Sequence, residues 1–350
     1  MSSESVAESQ QPLVSVLTPV YNGESHLGEC IESVLRQTYQ NWEYIIVNNC
    51  STDRTSEIIG NYARRDSRIR VIDNHEFVGA VKNHNIALTQ ISPQSKYCKF
   101  VQADDFLFPS CLEEMVSVAE AHPSAGIVTS YQLRDRWVWN DGWPYPSTLV
   151  PGHEVCRLFF LKGQVRFGNM SSFFLRSDLV RGRNPVFFNE KYLFADTEIY
   201  FIILQNYDYA FVHQVLSYHR MPENALSSFA ERHNQWSFAV VYFTKTYGNT
   251  YLTPEEYKQC LKQSLDRYYR RQGHEVFHFR DRGFWRYHHK MMEGIGFTLS
   301  LSRLLKGATA EAADRVFEPI NAVGRMFQFI RSGRANLRQD VDPKELWKEG

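Results

Sequence analysis

The stretch Tyr97-Cys98-Lys99-Phe100-Val101-Gln102-Ala103-Asp104-Asp105-Phe106-Leu107-Phe108-Pro109 places a pair of carboxylates directly after a short apolar run. The apolar run at 97–101 predicts a buried strand, and Pro109 is typical of the start of a helix. In open α/β sheets, ligands bind beyond the carboxyl ends of the strands. Asp104 and Asp105 therefore predict a site for Mg²⁺ or Mn²⁺, because both ions favour oxygen ligands. The alternative is a solvated turn whose polar side chains cap the next helix.

Strands and helices alternate along the first part of the chain. Periodicity predicts strands at 13–18, 44–47, 69–72, 97–101 and 126–130, with helices at 27–35, 53–65, 80–89 and 112–121. This alternation predicts an α/β fold with a mostly parallel sheet that helices cover on both faces. Beyond 130 we expect helices at 155–161 and 199–204, strands at 170–175 and 210–215, and long helices at 235–247, 254–271, 284–305 and 311–331.

Composition narrows the class of protein. The chain has 350 residues, 39 acidic and 39 basic side chains, and six cysteines without close pairs. Zero net charge argues against a nucleic-acid partner, and scattered cysteines favour a reducing compartment. The polar segment 1–11 lacks the apolar core of a signal peptide, and no run approaches the ~18 apolar residues of a membrane span. We expect a cytoplasmic protein, either soluble or peripheral on the inner face of the membrane.

Polar and aromatic residues follow each of the predicted strands. They lie in the loops at 18–22, 48–53, 79–83 and 104–105, and parallel strands bring such loops to one crevice suited to a phosphorylated ligand. Tyr21 could stack on a base, Asn49 and Asp53 could bond its edge or a ribose, and Lys82 could meet a phosphate. Each also has an ordinary explanation: Asp53 as an N-cap, Asn22 as a turn residue and Lys82 as a solvated helix charge.

Four of these motifs, in this order, resemble family 2 glycosyltransferases: SVLTPVYN at 15–22, YIIVNNCSTDRT at 44–55, GAVKNHNIA at 79–87 and QADDFLFP at 102–109. The resemblance covers roughly residues 13–225. It implies a Rossmann-like GT-A domain at 12–228 that moves a sugar from a nucleotide-diphospho-sugar, with inversion and with Mn²⁺ or Mg²⁺. A UDP-sugar is the favoured donor, and the acceptor would be a glycan or lipid-linked hydroxyl in surface polysaccharide or glycoconjugate synthesis.

The same resemblance implies roles for individual residues. The nucleotide site would comprise Pro19, Tyr21, Asn22, Asn49, Asp53, Lys82 and Asp104, and the metal site Asp104, Asp105 and His219. The catalytic base would be Asp196, which follows Ala195 in place of a usual glutamate; Glu190 and Glu198 are the fallback candidates. The alternative for Asp196 is a helix N-cap.

Several usual acids of the family are absent from this sequence. Asn48 and Asn49 stand where paired acids are common, and Gln102 replaces the first acid of the acid-x-acid motif. The alternative function is therefore a degenerate, non-catalytic protein that only binds a sugar nucleotide. Donor turnover distinguishes the two hypotheses.

The C-terminal third differs in composition from the rest. Segment 266–290 carries seven Lys or Arg against three acids, interleaved with aromatic residues. We expect a helical region at 229–333 that packs on the catalytic domain or forms a homodimer interface, because helical apolar stripes usually belong to a core; contact of this basic, aromatic surface with an anionic membrane is the alternative. We assign no metal to His274, His278, His288 and His289, because they lack a zinc spacing with cysteines. A polar tail follows at 334–350.

Overall fold

The computed structural model describes residues 11–140, 145–163, 167–183, 186–221, 230–278, 280–310 and 312. The chain divides into two compact units, Met1–Leu261 and Lys262–Gly350. The expected domain boundary at 228/229, the expected disordered N-terminus at 1–11 apart from Gln11, the expected helix at 311–331 apart from Ala312 and the expected tail at 334–350 lie outside the described residues. The two-unit division falls within a helix, Pro254–Val276.

The first unit alternates strands and helices as predicted. Its strands are β1 (Val14–Val20), β2 (Trp42–Asn48), β3 (Ile69–Asp73), β4 (Tyr97–Phe100), β5 (Phe106–Leu107), β6 (Ala125–Arg134), β7 (Trp137–Trp139), β8 (Leu149–Val150), β9 (Phe173–Arg176) and β10 (Asp208–His219). Its helices are α1 (Leu27–Leu35), α2 (Thr55–Ala63), α3 (Ala80–Thr89), α4 (Cys111–Ala121), α5 (Gly152–Lys162), α6 (Ser177–Arg181), α7 (Ala195–Ile203) and α8 (Gln235–Tyr251). The helix α9 (Pro254–Val276) follows and α10 (Arg282–Glu293) lies in the second unit.

The strands form a mixed sheet in the order β3-β2-β1-β4-β9-β6-β10-β5. Strands β3, β2, β1 and β4 are parallel neighbours, and β6 is parallel to β10. Strand β9 runs antiparallel to both β4 and β6, so these two parallel groups point the same way. The carboxyl ends of β1, β2, β3, β4, β6 and β10 therefore share one edge. The predicted α/β class with a mostly parallel sheet is confirmed.

Strands β1, β2 and β4 are buried on both faces, and this explains the continuous apolar runs that predicted them. All seven residues of β1 are buried, because α/β sheets are covered on both faces. The side chains on one face of β1 and β2 form one core cluster with apolar side chains of α1 and α4 and with Phe174 and Leu216. Continuous apolar runs are typical of such doubly covered strands.

Some predicted boundaries were wrong. Strand β6 extends to Arg134 rather than 130, because it continues to pair with β10 and β7 where its sequence becomes polar. The predicted strand at 170–175 begins as a 3-10 turn, Met170–Ser172, before β9. Helix α4 begins at Cys111, and its N-cap Ser110 makes no side-chain capping bond.

The predicted helix at 284–305 is also interrupted. It consists of α10 and a second helical segment at 301–310, with a break at 294–300. Gly296 adopts φ of 80°, a left-handed conformation that ends helices and favours glycine.

Among the described helices, none is both long enough and apolar enough to cross a bilayer.

Candidate active site

The loops at the carboxyl edge are tied together by the side chains of asparagines. Asn49 is buried, and its amide accepts from the Val78 N–H at 3.0 Å and donates to the Val78 carbonyl at 2.8 Å. Its Oδ1 also accepts from Asn74 Nδ2 at 2.9 Å. Asn22 Oδ1 accepts from the Thr52 N–H at 2.8 Å. Asn22 and Asn49, which were predicted to contact the nucleotide, therefore use their side chains to hold the loops in place.

Asp53 has a similar structural use. Its Oδ1 accepts from the Thr55 N–H and its Oδ2 from the Glu24 N–H, both at 3.0 Å. Burial acts to raise the pKa of Asp53, but these hydrogen bonds outweigh it and leave that pKa below its usual value. Arg54, not Asp53, occupies the N-cap position of α2. Asp53 thus joins the loop after β1 to the start of α2.

Two exposed aromatic rings flank this edge. Tyr21 follows β1 and Phe77 follows β3; their side chains are 49% and 61% exposed, and their ring centroids lie 4.9 Å apart, edge to face. Phe77 was not predicted as a site residue. Pro19 is buried within β1, and Lys82 is exposed in the first turn of α3. Of the predicted base contacts, Tyr21 is the one whose ring faces solvent.

Asp105 is the centre of the polar network beyond β4. Its side chain is buried, and Oδ2 accepts from Ser171 Oγ at 2.5 Å and lies 3.4 Å from Asn169 Nδ2. Its Oδ1 accepts from the Arg220 N–H at 3.0 Å and lies 3.1 Å from His219 Nδ1. Asp105 therefore holds the end of β10 and the turn before β9, and it does not cap α4.

Asp104 is the more accessible carboxyl of the pair. Burial, and then the charge of Asp105, raise its pKa to about 6. Its backbone carbonyl accepts from Arg220 Nε at 3.0 Å, while Arg220 also pairs with Glu29 at 2.6 Å. Asp104 is thus a carboxyl with a raised pKa beside a second acid, an arrangement that an added cation would stabilise.

The residue in place of the first acid of the motif is also engaged. Gln102 lies against His84, with Nε2 of the amide 2.8 Å from the imidazole Nε2. His84 Nδ1 in turn lies 2.8 Å from the Ala80 carbonyl. Burial lowers the pKa of His84 and so favours its neutral imidazole. Gln102 and His84 thus form a neutral hydrogen-bonded pair at the position where the motif usually has an acid.

Ser171 and Lys99 complete the network and were not predicted. Ser171 Oγ bonds to Asp105 and accepts from the Gln102 N–H at 3.0 Å. Lys99 is fully buried in β4, and its Nζ donates to the Ser171 carbonyl at 2.7 Å. Burial lowers the pKa of Lys99, and the charge of Asp105 acts in the opposite direction. A lysine inside an apolar strand was the one sequence signal for this cluster.

Asp196 lies in the first turn of α7. Its Oδ1 accepts from the Thr197 N–H at 2.7 Å, and burial raises its pKa to about 6. The charge of His219 acts to lower the pKa of both Asp196 and Asp104, which places this imidazole within electrostatic reach of both carboxyls. Phe194, not Asp196, occupies the N-cap position of α7.

The fallback bases are bonded elsewhere. Glu198 is buried, and its Oε1 accepts from the hydroxyls of Tyr242 and Tyr247. Glu190 Oε1 accepts from Asn85 Nδ2 at 3.0 Å. Asp196 instead accepts from the N–H of its neighbour Thr197, and the charge of His219 acts to lower the pKa of its carboxyl.

The donor set suits a hard divalent cation. Asp104, Asp105 and His219 offer carboxylate oxygens and an imidazole, which match Mn²⁺ or Mg²⁺. His219 Nδ1 lies 2.7 Å from Asn169 Nδ2 and 3.1 Å from Asp105 Oδ1, so it is engaged within the protein, and Nε2 is the imidazole nitrogen that remains for a cation. The geometry supports this fit, because His219 Nδ1 lies 3.1 Å from Asp105 Oδ1 and the adjacent Asp104 is a partly buried carboxyl whose pKa is raised by burial and by the charge of Asp105.

Comparison with known proteins identifies relatives of this chain. Residues 15–181 match the model of "Glycosyl transferase family 2". An uncharacterized glycosyltransferase of Haemophilus influenzae is 28% identical over 53% of this chain and 58% of its own length. The glycosyltransferase GlyG of Streptococcus pneumoniae is 31% identical over 41% of this chain and 46% of its own length. The chain thus spans about half the length of these relatives.

Solved structures share the fold. S. aureus TarS 1-349, solved in complex with UDP-GlcNAc, superposes with a TM-score of 0.59 at 19% identity, over 81% of this chain and 80% of that one. The mannosyltransferase PcManGT of Pyrobaculum calidifontis, in complex with GDP-Man and Mn²⁺, gives a TM-score of 0.53 at 15% identity over 98% and 89%. Residues 15–181 therefore match glycosyl transferase family 2, and the chain shares the GT-A fold of these glycosyltransferases.

Proposed function

We propose that this chain is a metal-dependent, inverting glycosyltransferase that moves a sugar from a nucleotide-diphospho-sugar to an acceptor hydroxyl. The observation that carries the proposal is the grouping of Asp104, Asp105 and His219 with Asp196 in electrostatic reach. This grouping lies at the carboxyl edge of the sheet, where ligands of α/β sheets bind. It combines an acidic cation site with a carboxyl whose pKa is about 6.

Asp196 would act as the general base. Its carboxylate takes the proton of the acceptor hydroxyl while that oxygen forms the bond to the anomeric carbon. The bond from the anomeric carbon to the diphosphate oxygen breaks, and the nucleoside diphosphate leaves with the electron pair. A pKa of about 6 leaves Asp196 ionised at neutral pH yet more basic than an ordinary aspartate.

The remaining residues would bind and orient the donor. Tyr21 and Phe77 offer an exposed aromatic surface for the base, and Lys82 an exposed ammonium for phosphate. Asp104, Asp105 and His219 would hold Mn²⁺ or Mg²⁺, which when bound neutralises charge on the departing diphosphate. Asn22, Asn49 and Asp53 would act by holding the loops that carry these contacts.

A binding panel tests the donor site. We would measure thermal shifts with UDP-, GDP-, dTDP- and CDP-sugars, with and without Mn²⁺, on wild type and Asp104→Asn. We expect a metal-dependent shift with one nucleotide, a UDP-sugar, that the variant loses. The absence of any shift with all four would contradict the proposal.

A turnover assay separates enzyme from binder. Release of nucleoside diphosphate from the donor found in the panel is measured for wild type and Asp196→Asn. General base catalysis contributes about 10²–10⁴-fold, so we expect a loss in that range while donor binding persists. Binding without release by the wild type would establish the degenerate, non-catalytic alternative that Asn48, Gln102 and Ala195 suggest.

We further propose that the second unit contacts an anionic membrane that presents a lipid-linked acceptor for surface polysaccharide or glycoconjugate synthesis. The segment 301–310 supports this proposal, because Leu301 and Leu305 are 70% and 55% exposed one turn apart, beside exposed Arg303 and Lys306. The six cysteines are free thiols, consistent with a cytoplasmic location.

Vesicle sedimentation tests the membrane contact. We expect binding to vesicles that contain phosphatidylserine, little binding to neutral vesicles, and loss of binding in Leu301→Glu/Leu305→Glu but not in Thr309→Glu. If the double variant instead breaks a dimer in solution and leaves vesicle binding unchanged, the surface is a homodimer interface.

A further inference from the structure

Two histidines lie at the C-terminal end of α9. His274 is in its last turn, and His278 lies in the turn that follows Val276, in the sequence His274-Glu275-Val276-Phe277-His278. The two imidazole rings stack with centroids 4.3 Å apart. One potential ligand atom from each of His274, Glu275 and His278 lies within 4.8 Å of the others.

Hydrogen bonds orient both rings in the same way. His278 Nδ1 lies 3.0 Å from the His274 carbonyl oxygen, and His274 Nδ1 lies 3.4 Å from Glu275 Oε1. With protons on Nδ1, each ring donates to an oxygen and presents Nε2 as an acceptor. Backbone carbonyls and carboxylates in these positions are the usual outer partners of metal-binding histidines. These contacts leave the Nε2 atom of each ring available to a cation, and one nitrogen of each ring lies within 4.8 Å of the other.

Glu275 is held behind the histidines. Its side chain is 2% exposed, Oε2 accepts from Arg280 Nε at 2.5 Å, and Arg271 lies 3.8 Å from Oε1. These two guanidinium groups compete with a metal ion for the carboxylate. Glu275 is therefore better placed to accept a hydrogen bond from His274, as an outer partner of the metal site, than to coordinate the ion itself.

We propose that His274 and His278 form a second metal site, which binds a borderline divalent ion such as Zn²⁺. Imidazole nitrogen favours zinc, whereas the oxygen ligands at Asp104 and Asp105 favour Mn²⁺ or Mg²⁺. Water would complete the coordination, since His278 is exposed. The ion would link the last turn of α9 to the turn that follows it.

This site is structural or regulatory rather than hydrolytic. In metalloproteases with His-Glu-x-x-His, the glutamate acts as a general base on zinc-bound water. Here Glu275 is bonded to Arg280, and α9 ends at Val276, before the second histidine.

A calorimetric titration of the full-length protein with Zn²⁺ alone tests the site. We expect one binding event that His278→Ala and His274→Ala each abolish. Glu275→Gln is expected to weaken affinity about 10–100-fold, as for other outer partners of metal ligands. His289→Ala is the matched control, because His289 is an exposed histidine whose Nδ1 lies 3.7 Å from Glu293 Oε2 four residues further along α10.

Two comparisons make the result decisive. Far-UV circular dichroism and metal-free thermal unfolding of His278→Ala should match wild type, since this side chain is exposed. Asp104→Asn should retain the zinc event. The proposal is overturned if wild type binds no Zn²⁺, if binding survives both histidine substitutions, or if Asp104→Asn alone removes it.

Discussion

Replacement of Asp196 by asparagine should stabilise the protein while it removes activity. Burial raises the pKa of Asp196 from 3.8 to about 6, so the folded state disfavours the ionised carboxylate. Asparagine is close in shape and keeps an oxygen for the Thr197 N–H, which now bonds at 2.7 Å. The substitution therefore removes a buried charge without removing its hydrogen bond.

The magnitude and its pH dependence follow from linkage. At 1.36 kcal/mol for each pKa unit, the rise from 3.8 to about 6 corresponds to about 3 kcal/mol. Because the folded pKa is raised, the wild type carries no penalty below pH ~4, where the carboxyl is protonated in both states. The penalty develops as pH rises from about 4 to 6 and is complete above about 6.

Urea unfolding of wild type and Asp196→Asn at pH 4 and pH 8 measures this effect. We expect equal free energies of unfolding at pH 4 and a variant more stable by up to about 3 kcal/mol at pH 8. Asp178→Asn is the matched control. There, burial acts to raise the pKa but bonds from Arg176 outweigh it, so that pKa is lowered and the variant should gain no stability at pH 8.

The opposite ordering would refute the reasoning. If Asp196→Asn is destabilised at pH 8, the carboxylate is stabilised by a partner and its pKa is not raised by burial. If the variant is stabilised but retains full turnover, Asp196 is buried without acting as the base.

Three further perturbations test the network at the sheet edge. Ser171→Ala should lower the free energy of unfolding by about 1.5–3 kcal/mol, because it removes the hydrogen bond from Ser171 Oγ to the buried carboxylate of Asp105. Chemical unfolding measures this loss, and a loss below about 0.5 kcal/mol would contradict the network. Asp104→Asn should weaken Mn²⁺ binding in calorimetry, whereas unchanged affinity would remove Asp104 from the metal site. Gly168→Ala should lower the free energy of unfolding by about 1–3 kcal/mol, because an added Cβ would overlap Ser172 Oγ. Gly79→Ala is the control, because a Cβ at that position would meet nothing within 4 Å. Equal stability of the two variants would contradict this packing.

The sequence alone was sufficient for the fold class and for the edge of the sheet that carries the site. Each strand and helix of residues 14–121 has its own apolar period, and local periods determine local structure. The order of the polar motifs then located Asp104 and Asp105 beyond β4, because parallel strands end at one edge. These features depend on residues close together in the chain, so they can be read without the tertiary structure.

The tertiary structure determined which polar groups are available to a ligand. Asp105 meets Ser171 across 66 residues and His219 across 114, and no local pattern specifies contacts at such separations. The buried Lys99 acquires its partner only when β9 packs beside β4. Asn49 is buried and Asp53 is partly buried, and the side chains of both accept hydrogen bonds from backbone N–H groups of neighbouring loops, which the sequence alone does not indicate.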